Sequence, residues 1–140
     1  MAIVIRELTP LLEVFDLPAS LAFYRDVLGF AIVSSNETSW CMLKLGDATL
    51  MLNTAYEPDE RPPEPQRERV RGHGDTSLFF SSPDPDAVHA LLERSGWAVT
   101  EPTITPYGMR QVSTRDPDGF RLFFSCPAPF ERPEGDADSG

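Results

Sequence analysis

The feature that most constrains this chain is an internal repeat. Residues Val14-Phe15-Asp16-Leu17-Pro18-Ala19-Ser20-Leu21-Ala22-Phe23-Tyr24-Arg25-Asp26-Val27-Leu28-Gly29-Phe30 run from a strand through a short helix to a glycine-aromatic pair. Residues Phe80 to Trp97 repeat that order, with Pro83-Asp84-Pro85-Asp86-Ala87-Val88 opening the helix and Gly96-Trp97 closing it. Gly29 and Gly96 are thus equivalent points separated by almost half the chain. A recurrence of this kind predicts two similar halves.

Each unit reads as β-α-β-β-β. The first strand is expected over Thr9 to Val14, after which Asp16 caps a helix whose early Pro18 sits where a missing N–H costs nothing. Leu17, Leu21, Tyr24 and Leu28 recur at helical spacing and form one apolar stripe. Gly29 ends that helix in the left-handed region. Strands follow at Phe30 to Ser35, Trp40 to Leu45 and Ala48 to Asn53, joined by Asn36-Glu37-Thr38 and Gly46-Asp47. Tyr56 to Gly72 is charged and proline-rich, so it is expected to be a linker. The second unit restarts at Thr76 to Ser82, caps its helix with Asp84 and Pro85, and continues through strands at Ala98 to Thr105, Met109 to Ser113 and Phe120 to Phe124. Asp116-Pro117-Asp118-Gly119 forms the last turn. The fold class is α+β: paired βαβββ modules forming a curled mixed sheet around a cavity. One domain is expected over 1–128, with module one near 7–55, a linker near 56–72, module two near 73–127, and a flexible acidic tail over 129–140.

A chain of 140 residues with 41% apolar content can bury a real core. Its net charge of -10 disfavours nucleic acid, which requires a basic patch, and favours a cationic small ligand. There is no membrane-length apolar run and no signal-peptide design, because Glu7 interrupts the short apolar start. Neither a membrane partner nor export is therefore expected, and the address is cytoplasmic. Cys41 and Cys126 lack metal or redox spacing and read as reduced strand residues.

Val14-Phe15-Asp16-Leu17 through Ser20, Phe23-Tyr24 and Val27-Leu28-Gly29-Phe30 resemble the opening signature of the vicinal oxygen chelate superfamily. That superfamily holds glyoxalase I, extradiol dioxygenases, fosfomycin-modifying enzymes and bleomycin-resistance proteins. Tyr107-Gly108-Met109-Arg110 and Asp116-Pro117-Asp118-Gly119 are similar to elements near the end of such domains. The likeness spans residues 7 to 127. It implies a homodimer whose pockets each form between halves contributed by two chains.

Members that use a metal place inward-facing His or Glu ligands on the first and last strands of each half. Alignment on the motifs puts Thr9, Met51, Ser77 and Phe123 at those positions, and none is a ligand for zinc, iron or manganese. A shift of one residue supplies none either. His89, on the second helix, reads as a surface residue facing away from any cavity. His73 is a weak candidate for a displaced ligand, and Glu13, sharing a strand face with Thr9 and Leu11, is the remaining carboxylate. Ser20 and Cys41 read as helix surface and strand interior. No catalytic residue, metal or cofactor is assigned.

The expected function is that of a metal-independent binding protein, similar to the bleomycin-resistance branch, which sequesters a cationic or aromatic antibiotic-like ligand, with antibiotic resistance, transport and sensing all open as its role. Trp40, Met51, Phe79, Tyr107 and Phe123 would line the pocket, with Glu13, and less directly Glu101, as counter-charge. Arg110 would meet a ligand carboxylate or an acidic neighbour. The rival is a metal-dependent lyase, isomerase or dioxygenase of the same fold with atypical ligands such as His73 and Glu13. A third possibility is a small regulatory or antitoxin-like dimer without a pocket of consequence.

Overall fold

A computed structural model describes residues 2–129. The acidic tail expected over 129–140 lies, from residue 130 onward, outside the described residues. The chain divides into two compact units at the Glu64–Pro65 bond.

In the first unit β1 (Leu11–Val14) leads to α1 (Leu17–Leu21), which continues as a π-helical segment over Ala22–Val27 before β2 (Ala31–Ser35), β3 (Trp40–Leu45) and β4 (Ala48–Thr54). The strands lie in the order β1-β4-β3-β2, with β1 parallel to β4 and the other pairs antiparallel. The first strand is shorter than the expected Thr9 to Val14. Pro10 has no N–H to donate, although its carbonyl still accepts from Met51 N at 2.8 Å.

Asp16 caps α1 by accepting from Ala19 N at 3.2 Å. The stripe then departs from the expected spacing, because Leu28 N reaches back five residues to Phe23 O at 3.0 Å. That wide turn admits one more residue to the buried side. Phe23 and Tyr24, adjacent in sequence, are therefore both sealed in the core, their rings edge to face with centroids 5.0 Å apart. Ser20, expected on the helix surface, is buried beside them, and Leu21 is left only half-buried.

The second unit holds α2 (Arg67–His73), β5 (Ser77–Ser81), α3 (Pro85–Arg94), a two-residue β6 (Thr103–Ile104), β7 (Met109–Arg115) and β8 (Arg121–Pro127). Its strand order, β5-β8-β7-β6, repeats that of the first unit, with β5 parallel to β8. The strand expected from Ala98 contracts to β6. Ala98 to Pro102 runs beside β7 as irregular chain, held by Thr100 N to Ser113 O at 2.9 Å, Ser113 N to Thr100 Oγ1 at 2.9 Å and Thr114 Oγ1 to Ala98 O at 2.5 Å. Pro102 cannot donate to a ladder.

The helix α2 falls inside the stretch read as linker. Its docking is tertiary: His73 stacks on Phe120 with centroids 4.0 Å apart, and His73 Nδ1 lies 2.6 Å from Asp118 O. Gly119, at φ +90°, lets Val70 approach so closely that a Cβ there would stand 2.8 Å from the Val70 carbonyl oxygen. Asp116 Oδ1 closes the same turn by accepting from Asp118 N and Phe120 N, both at 2.9 Å.

In both units one sheet face is covered by the helix and the other is left open. Leu12, Val14, Cys41, Leu43, Leu50 and Leu52 are buried beneath α1 and its continuation. In the second unit α3 packs on β7 and β8, and Leu92, Val112, Leu122 and Phe124 form the core. Strand alternation sends the intervening residues to the opposite, uncovered faces. Those faces position the candidate site.

Candidate functional site

On the uncovered face of the first unit, Glu13 pairs in register with Asn53, and Asn53 with Trp40. The Asn53 amide donates to the Glu13 carboxylate at 3.3 Å, which holds the acid on that face. The next row is Leu11, Met51 and Met42. Beyond it Thr9 Oγ1 lies 3.1 Å from Thr49 Oγ1. Glu13, Trp40 and Met51 are thus brought together on adjoining rows.

On the uncovered face of the second unit, Phe79 lies opposite Phe123, and Phe123 opposite Ser113. The two rings are parallel, 4.6 Å apart with an interplanar angle of 6°. Phe123 is 9% exposed, whereas Phe79 is 61% exposed. An aromatic ring of that size left in water beside a buried partner offers a free π-face. The Arg121 guanidinium stands 5.0 Å from the Phe123 centroid, a cation–π arrangement that flanks the pair. A hollow of about 460 Å³ adjoins this face, walled by Ser113, Arg115 and Arg121 on one side and Ala98 to Thr100 on the other.

The remaining site residues divide. Tyr107 sits in the loop before β7, exposed, with its hydroxyl donating to Gln111 Oε1 at 3.0 Å. Gln111 pairs with Ser125 on the Phe79 side of the sheet. Arg110 belongs to the opposite, helix-covered face. Its Nε and Nη2 donate to the two carboxylate oxygens of Asp86 on α3 at 2.7 and 2.8 Å. This bidentate pair, with both side chains about three-quarters buried, raises the guanidinium pKa through the Asp86 hydrogen bond. Burial pushes the neighbouring Cys126 thiol up, and that of Cys41 likewise. Both thiols are free.

The donor set on the uncovered faces does not fit a chelated metal. Thr9, Met51 and Ser77 offer hydroxyls and a thioether, Phe123 offers no donor, and Glu13 is one carboxylate already bonded to Asn53. His73 is occupied with Asp118 O and Phe120 and does not extend the set.

Sequence reasoning missed two groupings. One is a groove of about 500 Å³ at the end of the first sheet, lined by Phe15, Pro18, Asn53, Tyr56 and Arg61 among others. Arg61 makes it: its guanidinium lies 4.9 Å from the Phe15 centroid, and Nη1 donates to Phe15 O at 3.5 Å and stands 3.9 Å from Asp16. The proline-rich composition around Arg61 conceals this anchoring. The other grouping concerns His89, expected at the surface. Its side chain is only 15% exposed and lies against Glu93 and Glu101. The helical spacing of His89 and Glu93 is visible in the sequence, but the approach of Glu101 is not.

Two βαβββ units of identical strand order define a paired-module protein with one uncovered sheet face in each unit. Residues 8–124 match the model of the Glyoxalase/Bleomycin resistance protein/Dioxygenase superfamily, and the chain belongs to that superfamily. Among solved structures it is similar to an antibiotic-binding protein from Streptomyces sp. CB03234, with 26% identity and a TM-score of 0.67 over 91% of this chain and 100% of that one. The bleomycin-binding protein of Streptomyces verticillus, in complex with copper(II)-bleomycin, is also similar, with 26% identity and a TM-score of 0.65 over 88% of this chain and 97% of that one. A bleomycin resistance determinant encoded on transposon Tn5 shares the fold at 21% identity and a TM-score of 0.66, over 89% of this chain and 99% of that one. No curated protein matches the chain. Among the described residues no helix is long and apolar enough to cross a membrane.

Proposed function

We propose that this protein is a metal-independent binder of a flat, cationic, antibiotic-like small molecule, acting as a cytoplasmic homodimer that sequesters its ligand. The observation that carries the reading is the Phe79–Phe123 stack, one ring buried and the other offered to solvent. A rigid aromatic platform gains affinity from a planar ligand at little entropic cost. Glu13, held by Asn53 on the first unit's open face, supplies a counter-charge for a cationic group. The similar bleomycin-binding and antibiotic-binding proteins support the ligand class. Support for self-association comes from Ile3, Val4, Ile5 and Leu8, each at least 74% exposed, an apolar segment that a second copy would cover.

The experiment is a thermal-shift and calorimetric screen of the full chain against aromatic cationic antibiotics, bleomycin first, with and without a chelator. The expected result is a ligand that stabilises the protein equally in both conditions, with Phe79→Ala weakening binding by about tenfold, the loss of about 1.4 kcal/mol. Glu13→Gln is expected to weaken the cationic ligand while sparing a neutral analogue. Binding indifferent to Phe79→Ala, or abolished by the chelator, would overturn the reading.

A further inference from the structure

The second unit carries a cluster of metal-capable side chains that the open-face site does not use. His89 and Glu93 stand one helical turn apart on α3, and Glu101 is brought to them from the irregular chain beyond Trp97. Among the described residues this is a group of three in which one donor atom from each residue lies within 4.8 Å of the others.

Two observations point to an ion. His89 Nε2 is sealed from water and makes no hydrogen bond, and both the Glu93 and the Glu101 carboxylates face it within ion-pair distance. The nearest carboxylate oxygens stand 3.6 Å from it on Glu93 and 3.5 Å on Glu101. Those separations exceed hydrogen-bond length. They match the spacing of two donors on one tetrahedral zinc, which at bond lengths near 2.1 Å is about 3.4 Å.

The site is also built to hold its shape. Glu101 follows a segment tied to β7 through Thr100 N to Ser113 O at 2.9 Å, Thr114 Oγ1 to Ala98 O at 2.5 Å, and Trp97 Nε1 to Arg115 O at 2.8 Å. The Glu93 and Glu101 side chains are 67% and 80% exposed, so they can move aside to admit an ion and leave a coordination position for water. The ring of His89 supplies the nitrogen donor that selects a borderline divalent ion over calcium or magnesium.

We infer that His89, Glu93 and Glu101 form a zinc site on the helix-covered side of the second unit, tying the segment after Trp97 to α3. The role is structural: the ion closes the loop between helix and sheet. Phe79 projects from the opposite sheet face, so the proposed ligand platform and this site are separable by mutation.

The test uses the full chain, stripped with a chelator and titrated with zinc and with cobalt(II) as an optical reporter. About one equivalent of zinc is expected to bind and to raise the melting temperature, with cobalt giving the intense visible bands of a tetrahedral centre. Glu101→Gln, an exposed and conservative change, is expected to weaken uptake by about tenfold or more, and His89→Ala to abolish it. Phe79→Ala and Glu13→Gln leave it unchanged. Absence of stoichiometric uptake, equal stabilisation by calcium or magnesium, or zinc binding that survives both His89→Ala and Glu101→Gln would overturn the assignment.

Discussion

The two units share one strand order yet solve their packing differently, and the contrast is clearest under the helix. In the first, a π-turn drives Phe23 and Tyr24 into the core side by side, and Phe30 joins them with its ring 5.9 Å from Tyr24. In the second, α3 is a regular helix with one leucine, Leu92, fully buried. The uncovered faces differ in a complementary way. The unit with aromatic rings on its helix shows a carboxylate, a thioether and the single ring of Trp40 on its open face, whereas the unit with the aliphatic helix shows stacked aromatics there. A common topology thus fixes where the faces lie and leaves their chemistry to individual strand positions.

The largest expected effect tests the helix contrast. Phe23→Ala should cost about 3–5 kcal/mol, because a fully enclosed ring leaves a cavity its rigid neighbours cannot fill. Leu92→Ala should cost less, about 2–4 kcal/mol, its smaller side chain leaving a smaller void. Urea unfolding followed by fluorescence reads each unit separately in single-tryptophan backgrounds, Trp97→Phe leaving Trp40 to report the first unit and Trp40→Phe leaving Trp97 to report the second. A larger penalty at Leu92 than at Phe23 would mean that the π-turn relaxes around the lost ring.

A smaller effect separates the two last hairpins. Gly46 and Gly119 both have positive φ, at +59° and +90°, but a Cβ at Gly46 meets nothing within 4 Å, while at Gly119 it strikes Val70. Gly46→Ala should therefore cost about 1 kcal/mol, the backbone penalty alone. Gly119→Ala should cost about 2–3 kcal/mol and loosen α2 from the turn. Limited proteolysis within Arg67–His73 checks the second part, and equal stability of the two variants would show that α2 does not rest on Gly119.

These comparisons also show what a sequence discloses. Both helix caps, the glycine stops and strand alternation were legible, because each depends on residues close in the chain. The π-turn was not, since it shifts a hydrogen bond by one residue without any compositional mark. Nor was α2, whose charged run carries no side-chain cap and is held by Phe120, Asp118 and Gly119. Of the candidate site, the stacking of Phe79 on Phe123 was not legible, because it is set by the register of β5 against β8, which no local pattern fixes. Arg110 takes the second of its two expected roles, an acidic neighbour, because the strand over Met109 to Arg115 sends it toward Asp86 on α3 and away from the stacked rings. Glu101 was unreadable for a related reason: its distance from His89 is set by the irregular chain after Trp97, which no local pattern predicts.

The smallest effect compares the two caps. Asp84 and Asp16 make the same bond, each accepting from the amide three residues on, at 3.1 and 3.2 Å. Their surroundings differ: Asp84 is buried at 7% exposure, whereas the Asp16 side chain is 40% exposed. A cap competes with water for the helix N–H groups, so the sheltered carboxylate contributes more. Asp84→Ala should cost about 1–2 kcal/mol and Asp16→Ala about 0.5–1 kcal/mol in the same urea assay. Arg61, 3.9 Å from Asp16, works against this order. If Asp16→Ala costs as much as Asp84→Ala, and the excess vanishes in an Arg61→Ala background, then Arg61 holds the first cap as firmly as burial holds the second.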